Sequence, residues 1–484
     1  MDKPLPSLES LQREVSELTA IYHGRGWTAA ATDLESAISM ADNRVLATGA
    51  HSDATTITLE ALVACVKRWL QAKSWIFAED LGILVLDSCK SLKGERDPMT
   101  MTAMHNLASA YLCRGQLDQA VSLATRVTKL RQDILGEAHP QTLTSMANLA
   151  STYRSQGLWV DAHKLDARIF ETKKNTMGPS HPSTLGSMAN LAISYTNLGQ
   201  HKEAESITRQ LVDLGERKLP PTDASLLNWK LTLASTYRDQ GKLDSAGNLE
   251  REVVTISRNI LGANNPFTLT SMANLATTYR EQGRLSDAER LEKEVVARSE
   301  TVLGETHPQT LMSISNLAST YRNQGRLEEA KVLGRKATTV MKEVLGERHP
   351  HTLVAMADLA ATYHMMRQSP DAEILAAQSL RLMQETMGKD HPFTLSAMAN
   401  LGFIYQSQSN WEVAGGMAET VHSGRERIFG TDHPDTVAAL EDLRRVAWVE
   451  AADQNTRHSL LSLECGEALP NVPSAISLYL AMVG

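Results

Sequence analysis

His307-Pro308-Gln309-Thr310-Leu311 opens a stretch that runs on through Asn316-Leu317-Ala318-Ser319-Thr320-Tyr321-Arg322 to Gly325 and Ala330. Its parts return along the chain at a step of 42 residues. Prolines stand at Pro98, Pro140, Pro182, Pro266, Pro308, Pro350, Pro392 and Pro434, and tyrosines keep the same beat at Tyr111, Tyr153, Tyr195, Tyr237, Tyr279, Tyr321, Tyr363 and Tyr405. Thr-Leu pairs follow in step, from Thr58-Leu59 to Thr394-Leu395, and no insertion breaks the register between residues 58 and 436. A fixed period of this length marks a stacked repeat architecture.

Each period reads as two helices. In the first, Leu143, Met146, Leu149, Ala150 and Tyr153 recur at the three-and-four spacing of an amphipathic helix. In the second, Ala288, Leu291, Val295, Ser299 and Val302 do the same. Glycines such as Gly325 and Gly304 end the two helices, and the His-Pro pair reads as the start of the next one, where proline's missing N–H costs nothing. One such hairpin buries too little apolar surface to stand alone, so successive hairpins must stack. The expected fold is all-α, a right-handed superhelical solenoid. Its expected parts are residues 1–57 as a degenerate helical repeat or cap, 58–435 as nine 42-residue repeats, and 436–484 as a helical cap with an apolar tail.

Composition narrows the function. The chain has 484 residues, 21% of them charged, and a net charge of −8 at pH 7, which lacks the basic excess of a nucleic-acid binder. Aromatics are 5%, which suits many small helical interfaces better than one thick core. Cys65, Cys89, Cys113 and Cys465 form no paired spacing, and no apolar run is long enough to cross a bilayer. The expectation is a cytoplasmic protein with no membrane and no nucleic-acid partner. No catalytic, metal-binding or phosphate-binding motif appears, so no cofactor, metal site or catalytic residue is expected.

Asn400-Leu401-Gly402-Phe403-Ile404-Tyr405, with Ala414 nine residues on, contains the Leu-Gly-x-x-Tyr…Ala core of a tetratricopeptide repeat. The 42-residue length and the fuller pattern, His-Pro-x-Thr-Leu…Asn-Leu-Ala-x-x-Tyr-Arg-x-Gln-Gly…Ala…Leu-Gly, resemble the repeats of kinesin light chains and of the light-chain-like proteins common in fungi. The resemblance covers residues 58–445. It departs in two ways: no sustained heptad segment precedes the repeats, and no nucleotide-binding switch motif accompanies them.

The resemblance implies that the first helix of each unit lines a groove and that an Asn five residues before the tyrosine faces inward. Here those positions are Asn106, Asn148, Asn190, Asn274, Asn316 and Asn400, with Thr232, Asp358 and Asp442 as departures. An amide both donates and accepts, so such a row either clamps an extended peptide backbone or ties neighbouring helices together. Arg154, Arg238, Arg280 and Arg322 follow the tyrosines directly, with His364 in the same register. Arginine grips carboxylates, which points to an acidic peptide, unless Asp239 and Glu281 neutralise the row locally.

The expected function is therefore a protein–protein interaction scaffold that holds extended, acidic segments in a concave groove. On that reading, Asn274→Ala combined with Arg280→Ala weakens peptide binding and leaves the melting temperature nearly unchanged. An alternative is an enzyme or small-molecule receptor, for example in a secondary-metabolite pathway, with a cavity lined by Trp69, His105, Asp358, His364, Met365, Met366 and Phe403. Another is a self-assembling scaffold. The tail, Pro470 to Gly484, is expected either to cover the last hydrophobic face or to plug the groove.

Overall fold

The computed structural model describes residues 7–48, 53–72, 74–431 and 433–451, and among them are 21 α-helices and no strand. The chain forms two compact units, Met1–Ser155 and Gln156–Gly484. The first holds α1 (Leu8–Gly24), α2 (Thr28–Thr48), α3 (Ala54–Gln71), α4 (Trp75–Lys93), α5 (Pro98–Cys113), α6 (Leu117–Leu135) and α7 (Pro140–Ser155). The second begins with α8 (Trp159–Met177), α9 (Pro182–Asn197), α10 (His201–Lys218), α11 (Ala224–Asp239), α12 (Leu243–Leu261), α13 (Pro266–Glu281) and α14 (Leu285–Leu303). It continues with α15 (Pro308–Asn323), α16 (Leu327–Val344), α17 (Pro350–Met365), α18 (Ser369–Thr386), α19 (Pro392–Ser407), α20 (Trp411–Phe429) and α21 (Pro434–Ala451). The tail from Pro470 and Cys465 lie outside the described residues.

The His-Pro punctuation has a definite job. His181, His307, His349 and His391 are N-caps, and each Nδ1 accepts the backbone N–H two residues on, at 3.1–3.2 Å. Asp97, Asp223 and Asn265 do the same with a side-chain oxygen at 2.8–2.9 Å. Each cap satisfies an N–H that the first helical turn leaves open, and in all of these helices except α11, where Ala224 follows Asp223, proline occupies the position where none is needed. An imidazole nitrogen that accepts carries no proton, so these rings hold theirs on Nε2. At the other end Gly304 takes φ 93°, a left-handed cap open to glycine at little cost.

The apolar stripes pack as their spacing requires. In α15 Leu311, Ile314, Leu317 and Tyr321 are buried, and in α14 Ala288, Leu291, Val295 and Ser299. Val302 is the exception, 42% exposed, because the stripe has rotated off the core by the last turn of α14. The exposed flank of Tyr321 is covered by the Arg326 guanidinium, 4.0 Å from the ring centre, and Arg284 stacks on Tyr279 at the same distance.

First helices of successive repeats touch one another: α3 with α5 and α5 with α7 in the first unit, α9 with α11, α13 with α15, α15 with α17 and α17 with α19 in the second. Among the described residues no two second helices pack together to this extent. Within each unit the first helices therefore form the inner wall of the curve.

That curve brings the second unit back on itself. The Trp159 and Phe429 rings lie 4.8 Å apart, Phe429 stacks on His433 at 4.3 Å, and His433 faces His201 at 5.8 Å. Gly157 abuts His391 and Pro392, and Gly199 abuts the His433 ring. Burial there holds the His433 imidazole down to about 4, with the neighbouring His201 acting in the same direction. Gly199 and Gly283 share nearly one backbone conformation, φ 70° and 75°, yet nothing faces Gly283. Alanine at either position strains the backbone by about 1 kcal/mol, and at Gly199 it must also displace His433, adding about 1–3 kcal/mol. Gly199→Ala should therefore lower stability more than Gly283→Ala in parallel thermal denaturation. Equal losses would show that the two ends do not meet in solution.

Candidate functional site

The asparagine row divides by what each amide does. Asn148 donates to Ser109 Oγ at 3.0 Å and bonds His105 Nε2 at 3.0 Å, tying α7 to α5. His105 is half-buried there, and desolvation holds its imidazole down to about 4. Asn106 and Asn316 are themselves buried, each with one amide atom lacking a hydrogen bond. Asn190, Asn274 and Asn400 differ: half-buried on α9, α13 and α19, their side chains make no hydrogen bond among the described residues. They stand in the same register of the inner wall of one unit, at intervals of two and three repeats.

The arginine row lies deeper than its spacing suggested. Arg238 and Arg280 are 8% and 6% exposed. Arg238 Nη1 pairs with Glu250 at 3.1 Å and Arg280 Nη1 with Glu292 at 3.1 Å, carboxylates twelve residues on, in the second helix of the same repeat. Arg280 Nη1 also donates to the Asn316 carbonyl oxygen at 3.4 Å, so each such arginine bridges its own hairpin and the next first helix. The neutralising partners expected from sequence were Asp239 and Glu281. Glu281 approaches Arg238 only at 3.9 Å, and the main partners are Glu250 and Glu292. Burial raises both glutamates, Glu250 to about 7. Arg154 is buried as well.

Arg322 has no carboxylate twelve residues on, where Gly334 stands. It turns to the next repeat instead, donating to the Asp358 carbonyl oxygen at 2.8 Å with Asp358 Oδ1 3.6 Å away. Burial pushes the Asp358 carboxyl up, and Arg322 opposes that shift.

His364 lies on the wall of a small cleft between α17, α18 and α19, about 360 Å³ with its open mouth included. Ala357, Ala360, Ala376 and Ala397 make it apolar, and His364, Ser379 and Asn400 make it polar at three points. Of the residues expected to line an enzyme-like cavity, only His364 and Phe403 do so. Trp69 is in the core of the first unit, 2% exposed, and Met365 points outward at 37%. Among the described residues no group of three or more His, Cys, Asp or Glu is placed to hold a metal ion, and no helix is long and apolar enough to cross a membrane.

The residues missed from sequence are Glu250 and Glu292. Their signal was present: opposite charges at the same twelve-residue offset in two successive repeats.

Family models described as tetratricopeptide repeat match residues 99–175, 141–217 and 309–385, and a second set matches 226–267, 268–309 and 394–435. Together they span well over half of the chain. The chain belongs to the tetratricopeptide repeat family. The repeat protein is similar to a putative kinesin light chain of Podospora anserina with nearly identical repeats, at 30% identity over 42% of this chain and 97% of that one, with a TM-score of 0.37. BtubC (BKLC) from P. vanneervenii is 18% identical over 51% of this chain and 92% of its own, with a TM-score of 0.37. A Rap protein solved in complex with competence and sporulation factor is similar in fold, with a TM-score of 0.51 at 11% identity, over 76% of the repeat protein and 98% of that chain. No curated protein matches the sequence.

Proposed function

We propose that the repeat protein is a protein–protein interaction scaffold that binds extended segments along the inner wall of its second unit. The observation that carries this is the set of three half-buried amides, Asn190, Asn274 and Asn400, in one register with no hydrogen bond among the described residues. A partly desolvated amide with no partner is a cost that a guest backbone would relieve, through both a donor and an acceptor, whatever the guest's side chains. The similar Rap protein, solved with competence and sporulation factor, supports the reading as a second chain of this fold that holds a guest.

Acidity of the guest draws less support from the arginines. Arg238 and Arg280 are engaged with Glu250 and Glu292, so neither offers a free guanidinium to the wall. Recognition by backbone is the part of the reading that the free amides support.

The test is Asn190→Ala combined with Asn274→Ala. Peptides selected from a displayed library against the full-length chain should bind the double variant roughly 5- to 150-fold more weakly, two hydrogen-bonding side chains having been lost. Because neither amide has a hydrogen-bond partner among the described residues, the melting temperature should stay within about a degree of the parent. Undiminished peptide binding would remove these amides from the proposed interface.

A further inference from the structure

The twelve-residue offset that pairs Arg238 with Glu250 and Arg280 with Glu292 continues along the chain. Its next members are Arg322 and Gly334, then His364 and Ala376, then Gln406 and Ala418. In the α17/α18 repeat both charged partners are therefore gone, and the carboxylate has been replaced by a methyl group. The space remains. In the α13/α14 repeat the Arg280–Glu292 pair fills the junction with α15, where Arg280 reaches the Asn316 carbonyl oxygen. At the corresponding junction of α17, α18 and α19 there is a cleft, and His364, Ala376 and Asn400, the register equivalents of Arg280, Glu292 and Asn316, all line it.

Two polar groups in that cleft lack partners. His364 Nδ1 is buried with no hydrogen bond, and the Asn400 amide makes none among the described residues. Ser379, whose hydroxyl donates to the Ala376 carbonyl oxygen at 3.2 Å, keeps only its acceptor side for a guest, and alanines with Phe403 and Ile404 line the rest. A buried nitrogen left unsatisfied carries a desolvation cost that a hydrogen bond to a guest oxygen would relieve.

We propose that this cleft is a carboxylate-binding subsite, in which a guest carboxylate takes the place of the glutamate missing at Ala376 and hydrogen-bonds His364 and Asn400. It rests on the reading of the first-helix wall as the guest-binding surface, and it locates any acidic preference at one point instead of along an arginine row. The chemistry is that of a carboxylate on a small aliphatic stem, either an acidic side chain or a chain terminus. Burial alone holds His364 below the ordinary histidine range, and no charged group from α17, α18 or α19 adds to that. A bound carboxylate favours the imidazolium, so binding takes up a proton. It should tighten as pH falls through the range in which histidine titrates, until the guest carboxylate itself is protonated.

The experiment follows His364 ring signals by NMR in the full-length chain, assigned with His364→Gln. The probes are N-acetylglutamate N-methylamide, its glutamine analogue and N-acetylalanine. A carboxylate probe should shift the His364 signals, raise the pH at which the ring titrates, and bind about tenfold tighter than the glutamine analogue at pH 5.5. The side-chain and terminal acids distinguish the two sources by which of them binds. Ala376→Glu restores the missing carboxylate internally and should abolish probe binding while raising the His364 titration. If that variant does not fold, His364→Gln is the deciding protein, and it should lose the preference for acid over amide. Equal binding of acid and amide, His364 signals unmoved by either acid, or a preference retained in His364→Gln would each overturn the proposal. Failure of the wall reading itself appears separately, as undiminished peptide binding by the Asn190/Asn274 double variant, neither residue of which lines this cleft.

Discussion

Glu292→Leu is expected to destabilise the second unit by about 3–5 kcal/mol, because it takes the paired carboxylate from the Arg280 guanidinium in a site where 6% of the residue reaches solvent. Arginine does not shed its proton at any accessible pH, so the charge has nowhere to go. The opposite truncation should be milder. Burial already raises the Glu292 carboxyl, so Arg280→Met lets that group protonate and persist as a neutral acid. The asymmetry has a pH signature. A carboxyl raised in the folded state contributes stability that is fully present below its unfolded pKa and lost as pH rises through its folded value. Glu250 is raised to about 7 while still paired, and without Arg238 it titrates higher still. Arg238→Met should therefore be least harmful near pH 5 and most harmful near pH 8, whereas Glu292→Leu should be costly throughout. Replacing both members of a pair, as Arg280→Met with Glu292→Leu, should recover most of the loss, since an apolar pair of similar volume is often neutral to stability. Hydrogen exchange across α13 to α16, read beside chemical denaturation at the two pH values, separates these outcomes. Equal costs for the two truncations would contradict the asymmetry. The same burial corrects one expectation drawn from spacing: a variant carrying Arg280→Ala should not keep its melting temperature.

Trp69→Ala should have an effect of similar size in the first unit, about 3–5 kcal/mol, as expected for removal of a fully buried large aromatic side chain. The Trp69 ring lies 6.3 Å from Tyr22 and 5.7 Å from Phe77, and Phe77 is 5.0 Å from Tyr22 and 5.2 Å from Trp27, all at steep angles. Its indole N–H donates to Asp33 at 3.1 Å, so alanine also leaves that carboxylate without the bond. The buried Cys65 and Cys89 thiols share this core, and burial pushes them up to about 11 and about 12. Trp69→Phe should keep the ring packing and lose only the hydrogen bond, roughly 1 kcal/mol. Exchange of α1 to α5 amides measures both. A Trp69→Ala protein with unchanged protection would mean that this residue lines a cavity, as the alternative drawn from sequence had it.

The wall was legible from sequence further than the chemistry on it. The asparagine register located Asn190, Asn274 and Asn400, but sequence could not separate them from Asn148, which spends its amide on His105 and Ser109. The difference lies in what the neighbouring repeat presents, and at 42-residue spacing that is a tertiary fact. The arginines were placed on the right helices and given the wrong depth, because chain neighbours were weighed as partners where residues twelve apart across a helical hairpin actually meet.

Sequence alone determined the all-helical class, the 42-residue step, the helix starts at Asp, Asn or His before proline, and the glycine stops. All of these follow from interactions within a few residues, namely caps, φ preferences and amphipathic spacing, so a local pattern carries them completely. Tertiary structure alone decided that Arg238 and Arg280 are buried, that Trp159 meets Phe429, that the chain separates into two units after Ser155 although the register runs on unbroken, and that a cleft opens where Ala376 replaces a glutamate. Each of these depends on how small rotations between stacked hairpins accumulate and on which side chains then fill the junctions. A periodic sequence repeats the parts and leaves the accumulated angle unstated.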